Sequence, residues 1–175
     1  MRKHSRIIIF FLFTSCTYAF ASDETDKSLK ELDSYISQRD HYIQLRENRI
    51  NTLKQRVTPI NKDTEQFEIY SSLFDEYKSY KYDSAFVYAQ KSFTTAQKLS
   101  NLNKVIEAKR QIAFCYLSSG LFKEASDIMQ SIDIQNAPTN IKRDYYVLLA
   151  RLYYDMADYS CGEYFSQDYI KSGIQ

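Results

Sequence analysis

The sequence predicts an all-α chain: a long N-terminal helix followed by about three helical hairpins stacked as a right-handed α-solenoid. Three observations carry this. Glycine and proline are scarce, apolar residues recur at helical spacing, and the helical segments align with one another in pairs. With 3 glycines and 2 prolines in 175 residues, against an average of about 12% for the two together, the chain lacks the turn residues that a sandwich or barrel needs. Apolar residues make up 44% and charged residues 26%, ordinary globular values that exclude disorder for most of the chain. The length suits about one domain.

The segment 1–21 reads as a signal peptide. Arg2, Lys3 and Arg6 form a positive start, and Ile7 to Phe13 is an unbroken apolar run. Ala19-Phe20-Ala21 then offers the small-x-small pattern of a cleavage site before Ser22. The apolar stretch 7–21 is shorter than the roughly 20 residues of a membrane span, so cleavage is expected over anchoring. Lipidation at Cys16, preceded by small Ser15 but also by bulky Phe13, is the rival processing route. Three of the 23 basic residues lie in this leader, which leaves the remainder slightly acidic against 22 Asp and Glu. Such a balance gives no electrostatic footprint for nucleic acid or for an anionic membrane surface.

The segment 22–62 carries the long helix, expected over 28–57. Leu29, Ile36, Ile43, Ile50 and Val57 recur every seven residues, and Leu32 and Leu53 fill intervening positions. Arg39 and Arg46 occupy the other two, where a strict coiled-coil seam is apolar, although an arginine stem can lie along such a seam with its head in water. An amphipathic helix docked on the rest of the domain is the primary expectation. A self-associating coiled coil, which would make the chain a homodimer, is the alternative. Thr58-Pro59 ends the helix, because the residue before proline is pushed out of the α region.

The segment 63–175 holds the hairpins. Helices are expected over 65–80 and 83–100, 105–118 and 122–132, then 141–155 and 159–170. In the first, Phe67, Tyr70, Leu73, Phe74 and Tyr77 follow helical spacing. Asn101 to Asn103 is a polar break, and Gly120 suits a left-handed helix end. Tyr77, Tyr116 and Tyr153 occupy equivalent places, as do Tyr82, Phe122 and Tyr159, and then the small residues Ala85, Ala125 and Gly162. Those small residues recur at intervals of 40 (85 to 125) and 37 (125 to 162), close to the tetratricopeptide period of 34 residues. A small residue lets the second helix approach the first, and the rings fill the gap to the next pair. The last helix is short and no polar capping helix follows it, so the array is expected to be truncated at its C-terminus.

No enzyme is expected. His4 lies in the leader, and His41 is read as a surface residue. No Cys/His cluster has metal-ligand spacing, and the three glycines form no phosphate loop, so no cofactor and no metal is expected. Cys115 and Cys161 are read as buried free thiols in a compartment that permits disulfides. Most of the 16 tyrosines fall at repeat positions and read as packing residues. Helical arrays bind along the face lined by their first helices. There the alignment places Asp75, Lys78, Arg110, Phe114, Leu117, Arg151 and Tyr154. Basic Lys78, Arg110 and Arg151 suit a peptide carboxylate, and Tyr154 suits an apolar or sugar face.

Several stretches resemble one bacterial family. They include Leu32-Asp33-Ser34-Tyr35-Ile36 with Arg39-Asp40-His41-Tyr42-Ile43, and Leu73-Phe74-Asp75-Glu76-Tyr77-Lys78-Ser79 with Tyr82-Asp83-Ser84-Ala85. They continue with Ser118-Ser119-Gly120-Leu121-Phe122-Lys123-Glu124-Ala125 and Ala150-Arg151-Leu152-Tyr153-Tyr154-Asp155. The family is that of membrane-anchored tetratricopeptide-repeat regulators of transcription, and the resemblance covers essentially the whole chain after the leader. It implies a periplasmic repeat array followed by a membrane span, a coiled coil and a cytoplasmic regulatory domain. This sequence stops at Gln175, before any second span, so it is expected to be the N-terminal part of a longer protein. By itself it is expected to bind no nucleic acid.

The resulting expectation is a non-catalytic helical-repeat module that binds a protein, peptide or other ligand, in the periplasm, as the sensor part of such a regulator. Membrane attachment is expected only through a missing C-terminal span or lipidated Cys16. Two rivals are an outer-surface glycan- or nutrient-binding lipoprotein and a structural oligomer built on the N-terminal helix.

Overall fold

The computed structural model describes residues 24–57, 62–160 and 162–175, and every regular element among them is an α-helix. The leader with Cys16, the helix stop at Thr58-Pro59 and Cys161 lie outside the described residues. Helix α1 covers residues 24–37. It is followed by α2 (Arg39–Val57), α3 (Asp63–Tyr77), α4 (Tyr82–Lys98), α5 (Leu102–Ser118), α6 (Phe122–Gln130), α7 (Thr139–Tyr159) and α8 (Glu163–Ile174). The chain divides into two compact units, Met1–Asn48 and Arg49–Gln175.

In the first unit the helical pattern is interrupted once, at Gln38, where the sequence predicts one continuous helix. The cause is local competition for a carbonyl. In an α-helix the Gln38 amide would donate to the Ser34 carbonyl. That oxygen instead accepts from Ser37 Oγ at 2.7 Å and from Gln38 Nε2 at 3.3 Å, and the Gln38 amide turns to Tyr35 O at 3.1 Å. Short polar side chains weaken helices in this way.

The second unit stacks hairpins α3/α4, α5/α6 and α7/α8, with α4 packed on α5 and α7 packed on both α5 and α6. It is a helical-repeat solenoid of tetratricopeptide type. The C-terminal end of α2 joins its core. Ile50 is fully buried with Ile69, Leu73, Phe74 and Tyr77, and Leu53 and Val57 pack against the same cluster. Arg49 fixes this end by a two-pronged pair to Glu76, Nε–Oε1 at 2.7 Å and Nη2–Oε2 at 3.0 Å, a geometry matched to the planar guanidinium. A second cluster joins α5, α6 and α7 through Ile106, Ala113, Leu117, Ala125, Met129, Tyr145, Leu148 and Leu152. Between α3 and α5 one polar contact is buried, Gln111 Nε2 donating to Ser71 Oγ at 3.1 Å.

Helix ends follow local chemistry. Helix α5 begins earlier than expected because Asn101 caps it, its side chain accepting from the Lys104 amide at 3.2 Å. It ends in a Schellman motif: Gly120 has φ +74°, its amide donates to Leu117 O, and Leu121 N donates to Tyr116 O. Ser100, with φ +51°, takes the same left-handed position after α4.

The third hairpin corrects the alignment. Helix α7 runs on to Tyr159, past the expected end at Asp155, because Met156 and Ala157 still pack into the core and no glycine or proline intervenes. Gly162 is the exposed, extended residue that precedes α8 (φ −144°, ψ 131°), and not a small contact within the helix. Ala85 and Ala125, by contrast, are buried in the third position after the first residues of α4 and α6; the corresponding residue of α8 is Ser166. Tyr159 closes α7, and its ring reaches Phe122 at 5.3 Å.

Candidate functional site

The first helices of the three hairpins, α3, α5 and α7, bring together side chains distant in sequence. Phe74 of α3 meets Phe114 of α5 edge to face, with centroids 5.9 Å apart and an interplanar angle of 87°. This is the arrangement that ring quadrupoles favour. A cation caps each ring: Lys78 Nζ lies 5.8 Å from the Phe74 centroid, and Arg151 Cζ lies 5.1 Å from that of Phe114. The row Lys78–Phe74–Phe114–Arg151 therefore crosses all three helices.

Each terminal cation also touches a carboxylate of its own helix. Lys78 pairs with Asp75 at 2.7 Å, and Arg151 pairs with Asp155 at 3.2 Å. These pairs are solvent-exposed and worth little, about 0–1 kcal/mol each.

Arg110 lies half-buried on α5, one turn before Phe114, and half-buried Glu107 lies one turn before that. Burial pushes the Glu107 carboxyl above the ordinary carboxylate range. Arg110 and Lys104 draw it down, whereas Glu68 and Asp75 push it up.

Of the residues that the repeat alignment singles out, the structure joins Lys78, Phe114 and Arg151 in one contact row, with Arg110 one turn before Phe114 on the same helix. Leu117 is a correction: it is buried in the α5–α7 cluster with Leu148 and Leu152 and lines no open face. Tyr154 turns toward α8, where a Cβ on Gly173 would sit 3.4 Å from its Cζ. Sequence reasoning misses Phe74 and Glu107 as members of the row's surroundings. Phe74 reads as core by its spacing, and Glu107 acquires its character first from burial, with smaller contributions from the α3 carboxylates Glu68 and Asp75.

A second aromatic group lies on α3 and α4. Tyr77 and Tyr88 stack at 5.6 Å with Tyr70 alongside, Lys91 lies over Tyr70 and Tyr88, and Lys54 lies over Tyr77. Burial raises the Tyr88 phenol, and Lys54 opposes that rise. This group ties α2, α3 and α4 together and reads as packing. Cys115 is buried, and burial pushes its thiol up to about 12, so it is inert as a nucleophile. Among the described residues no group of His, Cys, Asp and Glu is arranged to hold a metal ion, and no helix is long and apolar enough to cross a membrane.

No curated protein and no solved structure matches the chain. The profile of one family, described as the SusR N-terminal TPR domain, matches residues 36–175. Such repeats are non-catalytic scaffolds that generally bind other proteins. The match takes in α2 to α8, including all three hairpins of the solenoid, and the chain belongs to the SusR N-terminal TPR-domain family.

Proposed function

We propose that the chain is the exported, non-catalytic receiving module of a membrane-anchored regulator, and that it receives an acidic peptide or protein terminus along α3, α5 and α7. The contact row Lys78–Phe74–Phe114–Arg151 carries this reading. It presents two cations on helices that the solenoid holds in fixed order, and Arg110 lies one turn before Phe114 on α5. The rings supply the apolar floor that a peptide side chain needs, and the cations supply the anchor for its carboxylate. Export is supported by the leader composition, Arg2, Lys3 and Arg6 before the apolar run and Ala19-Phe20-Ala21 after it. The regulatory role rests on the family, whose described member is the N-terminal domain of SusR.

The test is fluorescence anisotropy with labelled acidic peptides bearing a free terminal carboxylate, each compared with its amidated form. The free-carboxylate peptides bind more tightly, their affinity falls with added salt, and the Arg110→Ala/Arg151→Ala double variant weakens them by at least about tenfold. Equal affinity of both peptide forms, or unchanged binding by the double variant, contradicts the reading.

A further inference from the structure

The apolar seam at the start of the helical region takes no part in the row on α3, α5 and α7. Every side chain from residue 24 to residue 42 is exposed. Among these are Leu29 and Leu32 at 52%, Tyr35 and Ile36 at 58%, and Tyr42 at 55%. Large apolar residues exposed singly are ordinary, but a contiguous stripe marks an interaction surface. Helices of this length are marginal in water without a packed face, so the stripe calls for an occupant.

The spacing identifies the occupant as another helix. Leu29, Ile36 and Ile43 fall seven apart and continue in frame to Ile50, with Leu32 between the first two. A seven-residue repeat drifts around a straight helix and stays on one side only when two helices wrap each other left-handedly. A flat apolar surface selects no such period.

The charges are compatible with a second copy, because each seam arginine is followed by an acid that can neutralise it across the pair. In a parallel pair each d-position residue inserts beside the e-position residue of the facing helix. Here the d positions after Leu32 are Arg39 and Arg46, and the e positions are Asp33, Asp40 and Glu47. Self-pairing in register sets Arg39 against Arg39 and Arg46 against Arg46 in the seam, and flanks each of these layers with Asp40 or Glu47 of both chains. The arginines that break a strict apolar seam are answered by the acids one residue later. A membrane surface is a poorer fit, because acidic residues outnumber basic ones over residues 24–42, the wrong sign for anionic lipid. The turn at Gln38 interrupts backbone bonding once, and the seven-residue frame of the seam is the same on both sides of it.

We infer that α1 and the first half of α2 form a parallel two-stranded coiled coil between two copies of this chain, with Arg39 and Arg46 pairing across the seam to Asp40 and Glu47. This goes beyond peptide binding on α3, α5 and α7 and does not depend on it.

Sedimentation equilibrium of the chain tests the proposal. The unsubstituted chain is a dimer at about 50 µM. The Ile36→Asp/Ile43→Asp variant is monomeric at that concentration, its dissociation constant raised on the order of 100-fold. Its second unit still unfolds cooperatively in urea, which separates lost association from lost folding. Two charge variants decide the pairing. Arg39→Glu/Arg46→Glu sets acid beside acid, and Asp40→Arg/Glu47→Arg sets base beside base, so each alone is monomeric. Mixed in equal amounts they form a heterodimer. A monomeric unsubstituted chain, a charge variant that dimerises alone, or a mixture that stays monomeric overturns the proposal.

Discussion

The guanidinium of Arg151 on α7 lies over the ring of Phe114 on α5, 5.1 Å from its centroid. Phe114 in turn meets Phe74 on α3, so one arginine reports on the packing of three helices. Its Nε donates to Asp155, and the guanidinium carries further donors that a partner can use.

Substitution of Arg151 by alanine is therefore expected to separate binding from folding. Arg151 is exposed and its pair with Asp155 is solvent-facing, so urea denaturation shifts by no more than about 1 kcal/mol. Affinity for a free-carboxylate acidic peptide falls by at least about tenfold. Anisotropy titration and urea melts on the same preparation check both parts.

The end of α2, from Arg49 on, belongs to the second unit, and its Ile50 lies in that unit's core. Ile50 is fully buried, while Leu32 is half exposed. Ile50→Ala is expected to cost about 2–4 kcal/mol by urea denaturation. Leu32→Ala leaves the unfolding of the second unit unchanged. Equal losses at both positions would contradict the burial assigned to them.

Glu107 makes stability depend on pH in a definite direction. Its folded carboxyl lies above the unfolded value because burial disfavours the charged form. Between those two values the folded state holds the proton and the unfolded state has lost it, so stability falls as pH rises through that window. The contribution is complete below the unfolded value and lost above the folded one. Glu107→Gln cannot ionise, so relative to the unsubstituted chain it is more stable at about pH 7 than at about pH 4. Urea midpoints at the two pH values check this.

Two left-handed residues predict opposite effects at comparable helix ends. Gly120 has φ +74°, with nothing within 4 Å of the place a Cβ would take, and Ser100 has φ +51°. Gly120→Ala is expected to destabilise by about 1 kcal/mol through backbone strain alone, and Ser100→Gly to stabilise by a few tenths to about 1 kcal/mol. Thermal denaturation of the two variants gives shifts of opposite sign.

The hairpins are legible in the sequence because their apolar spacing is helical and their breaks carry recognisable residues, Asn101 and Gly120 above all. The end of α7 is not, because the sequence reading places the turn between Asp155 and Tyr159, where Met156 and Ala157 in fact hold the helix to the core. A turn placed too early slides Gly162 onto the position of Ala85 and Ala125. The interruption at Gln38 is hidden as well, since serine and glutamine at exposed helix positions give no apolar signal. In the candidate site, Lys78, Arg110, Phe114 and Arg151 follow from the alignment of first helices. That Phe74 joins Phe114, and that Arg49 clasps Glu76, depends on how helices distant in sequence meet, and spacing within one helix carries no record of that.

The central claim is that partners dock along α3, α5 and α7. Backbone amide chemical-shift mapping tests it most directly, with hexaglutamate bearing a free terminal carboxylate as the titrant. The account predicts that the largest shifts cluster at Lys78, Arg110, Phe114 and Arg151 and disappear in the Arg110→Ala/Arg151→Ala variant. Shifts concentrated on α4, α6 and α8, or unchanged in that variant, would contradict it.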